Sequence, residues 1–192
     1  MRDLVIEKFE ESIRTKQRIL KDNEMINRIV EVSDVITEAI RNGNKIVLCG
    51  NGGSASDALH FAGEIVGRFQ EERKAWPAVV LNADVATMTA IANDYGYERV
   101  FSRQAEAHIN KGDVFIGIST SGNSKNIIEV LPIAKERGAK TVGFLGKDGG
   151  ILSKEVDFPI IVPNNNTARI QESHITIIHI LCDIVERNLK DE

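Results

Sequence analysis

The chain has only two cysteines, Cys49 and Cys182, far apart and in no C-x-x-C pattern. That scarcity argues against a disulfide framework or a thiolate-bound zinc, and it fits two buried thiols in a reducing compartment. No run of about 18 apolar residues occurs, which excludes a membrane-spanning helix. The opening residues, Met1-Arg2-Asp3-Leu4, lack a signal-peptide core, so a cytoplasmic location with no membrane partner is expected. An excess of positive charge is missing too: the formal net charge is −4. No nucleic-acid partner is expected, and any phosphate must be held by backbone, hydroxyls and local charge. The pattern G-x-x-x-x-G-K-[ST] is absent, which excludes a P-loop. There is no internal repeat, low-complexity tract or second domain.

What is present is an ordinary globular composition, 42% hydrophobic and 27% charged over 192 residues, enough for one α/β domain covering 1–192. Apolar residues at helical spacing predict two helices, 2–20 and 23–41, making an N-terminal helical pair over 1–43. A leading hairpin with an apolar stripe needs a partner surface. Another subunit is the favoured one, and the chain's own sheet is the alternative. From residue 44 onward strands and helices alternate. Strands are expected at 45–49, 77–81, 114–118, 141–145 and 158–162. Helices are expected at 54–69, 84–92, 98–109 and 124–137, with a long last one at 167–189. Ser54 or Ser56 would cap the third helix, and Asp84 or Asn82 the fourth. The charged segment 71–74 reads as a solvated turn, 93–96 as turn chemistry, and 146–150 as a flexible loop. This order predicts a doubly wound, five-stranded parallel sheet, flavodoxin-like, with ligands beyond the strand C-termini.

Three constellations carry chemistry. The first is CGNGGSASDALHFAGE, residues 49–64, a strand that crosses a glycine-rich turn into a helix. Gly50-x-Gly52-x-x-Ala55 formally matches a dinucleotide fingerprint, but the acid at the end of the second strand, Asp84, lies too far on, so nicotinamide or flavin binding is not favoured. His60 and Glu64 stand four residues apart on one helical face, spacing that suits a metal or an acid–base pair. The second is Ser119-Thr120-Ser121-Gly122-Asn123-Ser124. Four hydroxyls in six residues exceed what a capped turn needs and suit a phosphate cradle. The third is the last helix, with Arg169, Gln171, Glu172, His174 and His179 among isoleucines. A histidine there is by default a hydrogen-bonded core residue. Gln171 and His179 are eight residues apart, about 12 Å along a helix. One metal is hard to reach from both, unless the geometry is stretched or two subunits contribute.

Residues 49–64, Ala92-Asn93-Asp94-Tyr95-Gly96, Ile118 through Ser124, TARIQESH at 167–174 and Ile177-Ile178-His179 together resemble the sugar isomerase (SIS) domain superfamily, and within it the phosphoheptose isomerases. The resemblance covers nearly the whole chain. It implies a homotetramer with active sites at subunit interfaces, acting on a sugar phosphate. It implies substrate contacts from Asn51, Gly52, Gly53, Ser54, Glu64, Asn93, Asp94 and Gln171, with phosphate held by Ser119, Thr120, Ser121 and Ser124. It implies one zinc ion per subunit on His60, Glu64, Gln171 and His179, and Glu64 and His179 as the acid–base pair. The implied reaction interconverts sedoheptulose 7-phosphate and D-glycero-D-manno-heptose 7-phosphate for bacterial surface glycans. Some members carry aspartate where this chain has Ala168, so a contact made there is missing or replaced. The runner-up reading is a non-enzymatic SIS tetramer that binds the replication initiator. That relative generally lacks a histidine matching His179, so His179 and the complete Asn51-Gly52-Gly53-Ser54 favour the isomerase.

Overall fold

The computed structural model describes residues 1–190. Helices α1 (Arg2–Lys21) and α2 (Asn23–Arg41) lead, α2 capped by Asp22, whose carboxylate accepts from Met25 N at 3.0 Å. The remainder alternates: β1 (Ile46–Gly50), α3 (Gly53–Val66), β2 (Ala78–Val80), α4 (Val85–Tyr95), a 3-10 turn (Tyr97–Arg99), α5 (Ser102–His108), β3 (Val114–Ser119), α6 (Lys125–Ile128), α7 (Leu131–Glu136), β4 (Lys140–Gly146), α8 (Leu152–Glu155), β5 (Phe158–Val162) and α9 (Thr167–Leu189).

The five strands are all parallel, in the order β2-β1-β3-β4-β5. The predicted sheet and its helical flanks are therefore present. Strand side chains alternate between faces. Ile46, Leu48, Val114, Ile116 and Ile118 feed one core with α2, α3 and α9, while Val47, Cys49, Phe115 and Leu145 feed the other with α4 to α8. The reversal of strand order falls between β1 and β3, the place where such sheets open a crevice beyond their C-terminal ends. Residues 51–52 and 120–124 leave the sheet there.

Several local expectations are corrected. The helix predicted at 124–137 is two short helices, because Pro132 has no N–H and falls in the first turn of α7, so α6 ends four residues earlier. The helix predicted at 98–109 begins only at Ser102, after consecutive fully buried residues Val100 and Phe101. Asn93 and Asp94 belong to the last turn of α4, which Gly96 ends at φ 88°. Helix α3 has Gly52 at its N-cap with no side-chain cap, so neither Ser54 nor Ser56 plays that part. The loop expected at 146–150 is present, except that Gly146 ends β4, and the helix that follows it, α8, is a single turn too short for periodicity to reveal.

In the segment 71–74, Glu71, Glu72 and Lys74 are exposed as a solvated turn requires, and Arg73 alone departs from that reading. The Arg73 and Glu186 side chains are 1% and 2% exposed and pair at 3.0 Å. Two backbone carbonyls of α3 accept from Arg73, and three successive backbone N–H groups donate to Glu186.

On α1 only Thr15 and Ile19 are buried. Leu4, Val5, Ile6, Phe9 and Ile13 stay exposed, Phe9 at 68%. Packing on the chain's own sheet thus leaves most of the apolar stripe uncovered. No helix among the described residues is long and apolar enough to cross a membrane.

Candidate active site

Helices α3 and α9 lie side by side and run in the same direction, and their seam carries two sets of side chains. At its start, Gln171 rests on Gly53, so closely that a Cβ there would lie 2.5 Å from the amide nitrogen and would push the Gln171 amide aside. Seven residues further along α3 and eight along α9, about 10–12 Å of rise, His60 meets His179. Their Nε2 atoms are 3.1 Å apart, and Glu64 Oε1 is 3.1 Å from His60 Nε2. Phe69 packs against the His179 ring at 5.8 Å between centroids.

One atom of each of His60, Glu64 and His179 lies within 4.8 Å of the others, so the three could hold a metal ion. A single Nε2 on His60 faces both partners, and one hydrogen there serves only one of them well. A cation would satisfy all three donors at once. Two nitrogens bound about 2.0–2.1 Å from one tetrahedral zinc stand roughly 3.3–3.4 Å apart, close to the spacing seen here, and the N/O donor set suits that ion. The structure thus assembles His60, Glu64 and His179 within one chain and places Gln171 two turns away, against the first loop.

The first loop is anchored through side chains. Asn51 and Asn126 exchange amide hydrogen bonds at 3.0 and 2.9 Å, and the Tyr97 hydroxyl donates to Asn51 Oδ1 at 2.9 Å. Asn82 accepts from Gly50 N at 3.1 Å. Gly52 and Gly53 are exposed and Ser54 is buried. Tyr97 brings the end of α4 to this loop, where Asn93 donates to Asp94 at 2.9 Å and both remain exposed.

The hydroxyl loop closes on itself. Ser119 and Ser124 share a hydrogen bond of 2.8 Å, and Ser121 lies 3.5 Å from Ser119. Thr120 is half-buried beside them. Gly122, at φ 66°, leaves no room for a Cβ against the Gly149 carbonyl. Asn123 ties the loop to its neighbour, donating to Ser121 O at 2.9 Å and accepting from Ile151 N at 3.0 Å. With α6 only one turn long, the hydroxyls and loop N–H groups must dominate any anion binding here.

His174 is the core histidine expected. Its Nε2–H donates to the Leu145 carbonyl at 2.9 Å, while Nδ1 is buried without a partner. Burial pushes it down to about 4, against the upward pull of that hydrogen bond. Both cysteines are buried, and burial raises both thiols. Asp57 was not singled out from the sequence. One turn before His60, it has a buried, unpartnered Oδ2, and burial raises its carboxyl to about 6 while His60 pulls it down. Its short spacing from His60 and Glu64 was the available signal.

A parallel 2-1-3-4-5 sheet with a hydroxyl loop after β3 and a His-Glu-His cluster beside the loop after β1 defines an α/β protein of the sugar isomerase type, and residues 8–146 match the SIS domain family. The phosphoheptose isomerase of Geobacter sp. (strain M21) is 55% identical over 166 residues, 86% of each chain. That of Clostridium acetobutylicum is 48% identical over 192 residues, 100% of this chain and 98% of the other. Among solved structures, phosphoheptose isomerase GmhA from Neisseria gonorrhoeae superposes with a TM-score of 0.91 at 42% identity, covering 97% of this chain and 98% of that one. The chain belongs to the phosphoheptose isomerase family of SIS domain proteins.

Proposed function

We propose that this isomerase interconverts sedoheptulose 7-phosphate and D-glycero-D-manno-heptose 7-phosphate in the cytoplasm, supplying heptose for bacterial surface glycans. The observation that carries the reading is the meeting of His60, Glu64 and His179 along the α3–α9 seam of a chain in this family. Ser119, Thr120, Ser121 and Ser124 hold the phosphate, which orients the sugar without taking part in the chemistry. Asn51, Gly52, Gly53, Ser54, Asn93, Asp94 and Gln171 line the sugar's path from that loop to the cluster.

His60, Glu64 and His179 would hold zinc; Gln171, the further ligand the family implies, lies two turns away in the same chain and would join them only from another subunit or by a stretched geometry. Bound there, zinc polarises the sugar's carbonyl and hydroxyl oxygens. Glu64 takes the proton from C1 as His179 protonates the oxygen on C2, giving the enediol. Glu64 then returns a proton to C2 while His179 accepts one from the C1 hydroxyl, leaving the aldehyde. The Glu64 oxygen not directed at His60 is the one free to carry the carbon-bound proton. His179 sits in the cluster, which supports the enzyme over the initiator-binding tetramer.

The test is incubation with sedoheptulose 7-phosphate, with and without a chelator, followed by NMR. Conversion that the chelator stops and zinc restores is expected; no conversion by metal-loaded protein would overturn the reading. Glu64→Gln should keep phosphate binding and lose about 10²- to 10⁴-fold in kcat, the usual worth of a positioned proton-transfer group. Near wild-type turnover would remove Glu64 from this role.

A further inference from the structure

We propose that Arg73 and Glu186 are positioning residues that hold the His60–Glu64–His179 cluster in a cation-binding arrangement; this rests on the metal reading above.

Arg73 lies nine residues beyond Glu64, yet its guanidinium turns back on the end of α3. Its Nη2 donates to the backbone carbonyl of Glu64 itself at 2.7 Å, and Nη1 donates to that of Ile65 at 3.0 Å. These are last-turn carbonyls that lack helical partners, and a cation there also complements the helix dipole. The guanidinium is sandwiched against Trp76, 3.6 Å from the ring centroid. Its Nε donates to Glu186 at 3.0 Å.

Glu186 completes the arrangement. Its carboxylate accepts from the backbone N–H of Phe69, Gln70 and Glu71 at 3.0, 2.8 and 2.9 Å. That fixes the turn that lays Phe69 on the ring of His179. Glu186 itself stands seven residues after His179, two turns on and on the same face of α9. One buried pair therefore grips the backbone of Glu64, the aromatic neighbour of His179 and the helix that bears His179. A buried ion pair gives little net stability, because desolvation offsets attraction, but removing one partner leaves an uncompensated charge. Its value here lies in register between α3 and α9.

The experiment uses the full-length protein, with Co²⁺ as the probe, read by its visible absorption. Glu186→Gln keeps shape and removes charge; Arg73→Lys keeps charge and removes the fork. Each folded variant is expected to bind Co²⁺ at least tenfold more weakly, with affinity for inorganic phosphate, measured by calorimetry, within twofold of wild type. Equal weakening of both ligands indicates general loosening and overturns the proposal. In the unaltered protein, coupling is reciprocal. Co²⁺ should slow amide exchange at Phe69, Gln70 and Glu71 at least tenfold, a readout that stands even if neither variant folds. Unchanged exchange there, with Co²⁺ affinity within twofold in any variant that folds, overturns the proposal alone. Wild-type protein that takes up no Co²⁺ overturns the metal reading with it.

Discussion

Asp57 and His174 respond to acid in opposite directions. Burial raises Asp57 to about 6, so the folded chain takes its proton before the unfolded one, whose value is near the ordinary carboxylate range. Its ionised form costs stability above about 6, and the cost disappears as pH falls through the unfolded value. His174, held neutral and lowered to about 4, is charged first in the unfolded chain. Its contribution is complete above about 6.5 and is lost as pH falls toward 4, worth up to roughly 3 kcal/mol at about 1.4 kcal/mol per pH unit. Asp57 is partly exposed, so its effect is the smaller, and the net acid limb should slope downward. Asp57→Asn is expected to melt higher than wild type at pH 7, with the advantage gone at pH 4. His174→Gln, able to keep the bond to Leu145, should flatten the decline. Melting curves from pH 4 to 8 check both; variants that parallel wild type would dismiss the two assignments.

The loop between β3 and α6 makes its own prediction. Gly122→Ala must place a side chain in the left-handed region, at about 1–2 kcal/mol, and against the Gly149 carbonyl as well. Thermal unfolding should fall by at least a few degrees, at roughly 2–4 °C per kcal/mol for a chain this size, and inorganic phosphate should bind more weakly. Unchanged phosphate affinity would detach this loop from anion binding. The loop itself was legible because four hydroxyls crowd six residues. The sheet was legible because buried parallel strands are continuous apolar runs separated by glycine and polar turns. His60 and Glu64 were legible from spacing on one helix. Their meeting with His179, 115 residues after Glu64, was legible only through the family resemblance and not from spacing, since it depends on two helices packing in one register. Arg73 was misread for a related reason: four charged residues in a row resemble a solvated turn, and nothing local shows that one of them is claimed by Glu186. Pro132 is the residue in the sequence that marks where the helix expected at 124–137 divides.

At the scale of the molecule, α1 is the part that the chain alone leaves unexplained. Leu4, Val5, Ile6, Phe9 and Ile13 form an exposed stripe on a helix with two buried residues. We expect the stripe to be covered in a homotetramer, and Phe9→Glu with Ile13→Glu to shift the protein to smaller species in light scattering. A monomeric wild-type protein would overturn that expectation. The seam between α3 and α9 sets a different limit, on how the gene can change. One residue inserted between Gly53 and His60 would turn the later part of α3 by about 100°, swinging His60 and Glu64 away from His179 while Gly53 still matched Gln171. Point substitutions along the seam are separate events, but insertions are not. A change of length in one helix is repaired only by a matching change in the other, so the two must drift together or stay as they are.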